Sequence, residues 1–403
     1  MTTAALLRPL QLGPYTTRNR IFMSAMTRNR SVPTNVPNDL NVEYYRQRAR
    51  SAGLIVSEGI LVSQQGTEYP HAPGIWSQEQ VNAWKKVTDA VHAEGGLIFA
   101  QLWHVGRVAH PEAPEQIASG EPVYAPSAIA ARGGKFRHIP GKPDATYVTP
   151  TGIPNPKTLV DIFTKAAINA KEANFDGVEF HGAHGYVLTQ FLESGANHRT
   201  DEWGGSVANR IRIVLEAIDE VSKIYGPERV GIKLSPAGGP NDVGMPLDEA
   251  IETYSTLITE IDKRGIAYIT LMRYSEMMDN MYLIDGKPRG TPHDVISTYG
   301  PLVKNPKTAF IANVGYTPEE GAKLIEEGKA SAISFGIPWI VHPDLAKMVE
   351  KGKPLEVFTK LDMRGLYGYF PPYPHREDQM KGENLAELKE ELKKGYTDYP
   401  DSV

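Results

Sequence analysis

The stretch Gly177-Val-Glu-Phe-His-Gly-Ala-His-Gly-Tyr186 is a short apolar run that ends in two histidines and a tyrosine. His181 and His184 together can donate two hydrogen bonds to one anionic or carbonyl oxygen. Tyr186, a phenol with an ordinary pKa near 10, is protonated at neutral pH and can act as a proton donor. The histidine pair also raises the question of a metal. A catalytic zinc or iron site needs a third ligand and usually a carboxylate. Glu179 is read as alternating away from His181 and facing outward, so metal: none is the expectation. Paired glycosidase carboxylates are missing from this region apart from Glu58.

A buried strand that breaks into clustered titratable groups is how an α/β barrel delivers chemistry to its catalytic face. The rest of the chain fits such a scaffold. Short apolar runs fall at 21–23, 54–56, 97–101, 177–180, 230–234, 267–271, 309–311 and 332–335. Helical spacing separates them at 77–92, 158–173, 209–225, 247–264 and 318–327. Ser77 followed by Glu79 and Gln80 is a capping-type start, and Thr317-Pro318 another. Eight buried runs alternating with helices predict a parallel sheet, and eight strands close a barrel. The expected fold is α/β, a single TIM (β/α)8 barrel. A doubly wound sheet is the alternative, weakened by the lack of a G-x-G-x-x-G or Walker A segment.

Two regions interrupt the alternation. Residues 108–157, rich in Pro, Gly and Ala, read as a hairpin-like excursion after strand 3 that covers part of the mouth. Residues 368–403 read as an extended C-terminal tail packed on the barrel domain 1–367, with a charged helical part at 383–394.

Composition narrows the function. The chain has 403 residues and a net charge of −5 without long like-charge blocks. No nucleic-acid partner and no membrane attachment are expected. There are no cysteines, so disulfides, thiolate metal sites and cysteine nucleophiles are excluded. No secretory signal is recognised in the first twelve residues. A cytoplasmic monomer or homodimer is the expectation.

The strand ends supply Thr27, Glu58-Gly59, Gln101 and Trp103, then His181, His184 and Tyr186. Lys233, Asn313-Val314-Gly315 and Gly336 complete the ring. Small-residue turns at the last two strands are where barrels hold phosphate. The whole ring suits a flat heteroaromatic ligand with a phosphate tail.

The chain resembles the old yellow enzyme family of FMN-dependent ene-reductases over nearly its whole length. The resemblance is carried by Asn19-Arg-Ile-Phe-Met-Ser-Ala-Met-Thr-Arg28, Ser57-Glu-Gly59, Ala72-Pro-Gly-Ile-Trp76 and Ala100-Gln-Leu-Trp-His-Val-Gly-Arg107. It continues through the histidine segment, Asn197-His-Arg-Thr-Asp-Glu-Trp-Gly-Gly-Ser206 and Gly395-Tyr-Thr-Asp-Tyr-Pro400. The resemblance implies an NADPH dehydrogenase or ene-reductase with tightly bound, non-covalent FMN and NADPH or NADH as transient reductant. The substrate would be an α,β-unsaturated aldehyde, ketone or nitroalkene. It implies that Thr27 bonds the flavin C4 carbonyl, that Ala25, Met26 and Gly59 line the ring, and that Gln101 holds the pyrimidine edge. Lys233 would stand near the flavin, and Val314, Gly315, Gly336 and Ile337 near its phosphate. His181 and His184 would bind the substrate oxygen, Tyr186 would protonate the α-carbon, and Trp103 and Tyr367 would shape the substrate site.

Two positions depart from the family pattern. Lys233 and Ile337 stand where most members have arginines. Lysine keeps the charge but loses the bidentate fork, and isoleucine offers only its N–H. FMN is therefore expected to bind more weakly than in typical relatives, by about 1–3 kcal/mol, unless Arg289 or Arg273 compensates. Alternatives of other kinds are a flavin-barrel isomerase or specialised-pathway oxidoreductase, and a flavin-binding protein without turnover.

Overall fold

A computed structural model of the chain describes residues 3–32, 35–67, 69–133, 146–355, 363–368, 387 and 390–401. Eight parallel strands close into a barrel. We number them β1 (Ile21–Met23), β2 (Ile55–Leu61), β3 (Ile98–Trp103), β4 (Gly177–Gly182), β5 (Val230–Leu234), β6 (Tyr268–Met272), β7 (Ala309–Asn313) and β8 (Ala332–Phe335). Each strand pairs with its sequence neighbour, and β8 pairs with β1 to complete the ring. The principal outer helices are α1 (Asp39–Ala49), α2 (Gln78–Ala93), α3 (Lys157–Glu172), α4 (Val207–Tyr225), α5 (Leu247–Lys263), α6 (Val295–Tyr299), α7 (Pro318–Glu326) and α8 (Leu345–Glu350). This is a TIM barrel.

Local chemistry explains the boundaries. Ser77 caps α2 by accepting from the Gln80 N–H at 3.2 Å, while the Gln80 side chain accepts from the Ser77 N–H at 3.1 Å. Thr317 and Glu320 form the same reciprocal box at α7. The strands are buried along their whole length because side chains face the barrel interior on one side and helices on the other.

The barrel interior is layered. An antiparallel pair, Leu10–Leu12 with Tyr15–Thr17, closes the floor, where Leu12 meets Phe22, Leu54, Phe99 and Tyr268. The layer above is polar: Ser24, Gln101, Glu179, Lys233, Thr270 and Asn313 are all buried. Here the structure corrects the reading of Glu179. Residues two apart on a strand share a face, so Glu179 points inward with His181.

Strand β2 carries a bulge between Val56 and Gly59. The extra residue keeps Val56 on the floor and turns Gly59 toward Trp103. A Cβ at Gly59 would lie 2.7 Å from the Trp103 ring, so only glycine lets the indole rest there.

The excursion after β3 carries two short strands, but they are not an antiparallel hairpin. Tyr124–Ala125 pairs in parallel with Thr151–Gly152. Parallel pairing needs a long crossover, which the intervening chain supplies. Residues 134–145 of that crossover lie outside the described residues, as do 369–386, where the tail begins. The described part of the tail packs tightly. Tyr396 is fully buried, stacked on Tyr44 with ring centroids 4.3 Å apart and beneath the Arg30 guanidinium at 4.7 Å.

Candidate active site

The segment that ends β4 brings the histidine pair and the tyrosine together. His184 adopts φ +57°, held by its N–H donating to Ser235 Oγ at 3.0 Å and its carbonyl accepting from Asn241 Nδ2 at 2.8 Å. That left-handed turn folds the chain back over the barrel. The ring centroids of His181 and His184 are then 5.5 Å apart, and those of His181 and Tyr186 4.9 Å apart. Trp103 closes the group, 5.0 Å from Tyr186 and 6.2 Å from His181.

Burial sets the protonation of this cluster. Desolvation drives His181 well below the ordinary imidazole range, with His184 and Lys233 adding repulsion. Desolvation and then Lys233 bring His184 down to about 3. Both rings are neutral at physiological pH. The Ala183 N–H donates to His181 Nδ1 at 3.3 Å, so Nδ1 is the acceptor and the proton sits on Nε2. His181 Nε2–H is thus a donor. Among the described residues His184 Nε2 and Trp103 Nε1 are buried without a partner. Buried polar atoms left unpaired are costly, which marks this wall as a place where a ligand completes the bonding.

The polar layer lies just beneath. Gln101 Nε2 donates to Glu179 Oε1 at 2.7 Å, leaving the Gln101 carbonyl oxygen for another donor. Lys233 donates to Ser24 Oγ at 3.2 Å. Burial lowers the Lys233 pKa against the pull of Glu179. Burial raises the Glu179 pKa, with Lys233, Gln101 and Tyr268 opposing it. Of the expected cofactor residues, Gly59, Gln101 and Lys233 lie within β2, β3 and β5, and the others follow β1, β7 and β8. Ala25, Met26 and Thr27 follow β1 and are half-buried. Met26 reaches across to β8, where a Cβ on Gly336 would meet its sulfur at 2.9 Å. Ile337 is half-buried at the end of β8, while Val314 is half-buried and Gly315 exposed at the end of β7. Tyr367 stacks on Tyr69 at 5.4 Å, and Tyr69 lies 6.1 Å from Trp103, so the tail's aromatic joins the same wall.

Several residues serve the loops. Glu58 accepts from the Arg28 N–H at 3.0 Å and the Asn29 N–H at 3.3 Å, anchoring the segment that carries Thr27. His104 has both ring nitrogens engaged, by Gln65 at 2.7 Å and the Gly106 N–H at 3.1 Å. Arg210 is buried on the Leu192 carbonyl and Thr253, and Arg199 pairs with Asp201. Asp242 is a hub. Arg132 and Arg289 each pair with its carboxylate at 3.0 Å, and Arg107 donates to its carbonyl at 2.8 Å. This joins the excursion, the β5–α5 loop and the β6–α6 loop. Arg289 is therefore committed and does not compensate for Lys233 or Ile337.

Sequence reasoning missed Glu179, Ser24 and Tyr69. The first was recoverable by counting two residues back from His181, and the second by counting two on from Phe22. Tyr69 had no local signal, since a non-local aromatic contact brings it in. Among the described residues no three His, Asp or Glu side chains converge to hold a metal ion.

The fold and site are an eight-stranded α/β barrel with a histidine, tyrosine and tryptophan group above a polar interior layer, and its similarity to known proteins makes it an oxidoreductase. The chain belongs to the NADH:flavin oxidoreductase / NADH oxidase family, whose match spans residues 5–356, and within it to the old yellow enzyme group. It is 37% identical to 12-oxophytodienoate reductase 7 of Oryza sativa subsp. japonica over 357 residues, covering 85% of this chain and 87% of that one. The old yellow enzyme homologue from Zymomonas mobilis superposes with a TM-score of 0.82 at 33% identity, covering 98% of this chain and 99% of that one. Morphinone reductase in complex with tetrahydroNAD superposes with a TM-score of 0.78 at 33% identity, covering 99% and 98%. The family is FMN-dependent. The residues present fit that group: an amide oxygen on Gln101 that no bond among the described residues takes up, a buried amine in Lys233, and a small exposed residue at Gly315.

Proposed function

We propose that this chain is an ene-reductase that reduces the C=C bond of α,β-unsaturated aldehydes, ketones or nitroalkenes with NADPH or NADH. FMN, when bound, would supply the hydride-transfer chemistry. Gln101, Lys233, Thr27, Ala25, Met26 and Gly59 would hold its ring system, and the β7 and β8 turns its phosphate. The chain's own residues do the rest. His181 Nε2–H and His184 hold the substrate oxygen and stabilise the negative charge that builds there. Being neutral, they do so without fixing a cation in a buried site. Tyr186, against Trp103 and His181, donates the proton to the α-carbon as general acid. The excursion and Tyr367 shield that proton transfer from bulk water.

The observation that carries this reading is the packing of His181, His184, Tyr186 and Trp103 into one group with the His181 proton on Nε2. The relatives' names, as reductases, agree with it. Stopped-flow kinetics of Tyr186→Phe provide the test. Reoxidation by 2-cyclohexenone should slow on the order of 10²-fold, as for loss of a general acid, while flavin reduction by NADPH stays within about twofold. Equal losses in both half-reactions would sink the assignment. Wild-type protein that oxidises no nicotinamide with 2-cyclohexenone would favour the isomerase alternative.

A further inference from the structure

We propose that Arg273 is the positioning residue that holds the turn after β7 as an anion cradle for the FMN phosphate, in place of any cation from β8. The proposal rests on the flavin reading above. Its basis is the backbone at this turn. Val314 has φ +80° and Gly315 φ +67°. Glycine takes such a conformation freely, but for a β-branched residue it is a true outlier. Strain of this kind persists only where neighbours enforce it, and it gathers at ligand clamps. Arg273 is that neighbour. Its Nε donates to the Val314 carbonyl at 2.8 Å, and its Nη2 to the Gly315 carbonyl.

The peptide geometry gives the consequence. In a trans peptide the C=O and the following N–H point in opposite directions. With both carbonyls turned toward Arg273, the N–H groups of Gly315 and Tyr316 point away from it. Neither N–H has an acceptor among the described residues. Two adjacent, unpaired N–H groups at the C-terminal end of β7 make an anion-binding concavity. In the neighbouring helix α7 the Thr317 and Glu320 N–H groups are already taken by the capping box.

The charge balance supports Arg273 over its neighbours. Arg132 and Arg289 are spent on the Asp242 carboxylate, and Lys233 is inside the barrel on Ser24. Arg28 donates to the carbonyls of Gly365, Leu366 and Gly395, and Ile337 carries no charge. Arg273 stands 4.0 Å over the Tyr316 ring and 3.6 Å from Glu320, its nearest carboxylate. It polarises the two peptides whose N–H groups face the site, and so reaches the phosphate through them.

The test compares ligands that differ only in the phosphate. Flavin-depleted protein is titrated with FMN and with riboflavin, following fluorescence quenching. Arg273→Ala should weaken FMN about tenfold or more, the size of a lost charge-assisted contact, with riboflavin within about threefold. Arg273→Lys should fall between. Val314→Gly, which removes the strain, should make FMN binding less dependent on Arg273 in the double variant. An unchanged riboflavin-to-FMN ratio in both Arg273 variants overturns the proposal, as does equal weakening of the two ligands. Wild-type protein that binds neither flavin overturns the cofactor assignment instead.

Discussion

His104 shows how a residue inside a conspicuous motif can be structural. It stands beside Trp103, yet Gln65 and Gly106 take both its nitrogens, and burial brings it down to about 4. The sign of its pH effect follows. An unfolded histidine gains a proton below about pH 6.5, which the folded ring refuses. Its contribution to stability is present above 6.5 and is lost as pH falls toward about 4. Glu193 works the other way. Burial raises it to about 7, so the fold takes up its proton first and gains stability as pH falls through that value. The histidine is isolated by comparison: His104→Gln should lose about 1 kcal/mol less than wild type between pH 7 and pH 5.5, measured by urea unfolding. Identical slopes would mean that the ring titrates normally. The histidine pair is different in kind, because among the described residues His184 Nε2 is buried without a partner.

Among the elements, the bulge in β2 has the largest consequence for the site. It turns Glu58 away from the barrel axis and onto the backbone of Arg28 and Asn29. Glu58→Ala would leave those two buried N–H groups unpaired and should destabilise the protein by about 2–4 kcal/mol. FMN affinity should fall with it, since Thr27 rides on the same segment. Unchanged urea midpoint and flavin affinity would contradict this. Element positions were largely legible in the amino-acid sequence. The runs at 21–23, 230–234 and 332–335 match their strands to the residue, because each is a compact apolar block with abrupt polar ends. The run at 54–56 fell short of β2, which extends to Leu61. A bulge breaks the alternation that would have signalled the rest. Glu179 is a different case: it shares the inward face of His181, two residues on, with no bulge between them.

For the molecule as a whole, the tail is part of the barrel's stability. Tyr396 is held by Asn41 at 3.0 Å and stacks on Tyr44, while Arg28 and Arg30 hold Gly365, Leu392 and Lys394 by their carbonyls. These contacts join residues more than 300 positions apart. No local pattern announces such pairing, which is why the tail read only as an appendage. Tyr396→Ala should cost about 3–5 kcal/mol, as for a buried aromatic. Because Arg28 also donates to the carbonyl of Leu366, the residue before Tyr367, the variant should raise KM for 2-cyclohexenone more than it lowers kcat. A thermal midpoint within a degree of wild type would contradict the stability part.

The Asp242 hub has a practical consequence for engineering. Three mouth loops share one carboxylate, so they form a single exchangeable cassette. Grafting one loop from a relative strands either an arginine or the aspartate. Substrate range should therefore be re-designed by transplanting all three together.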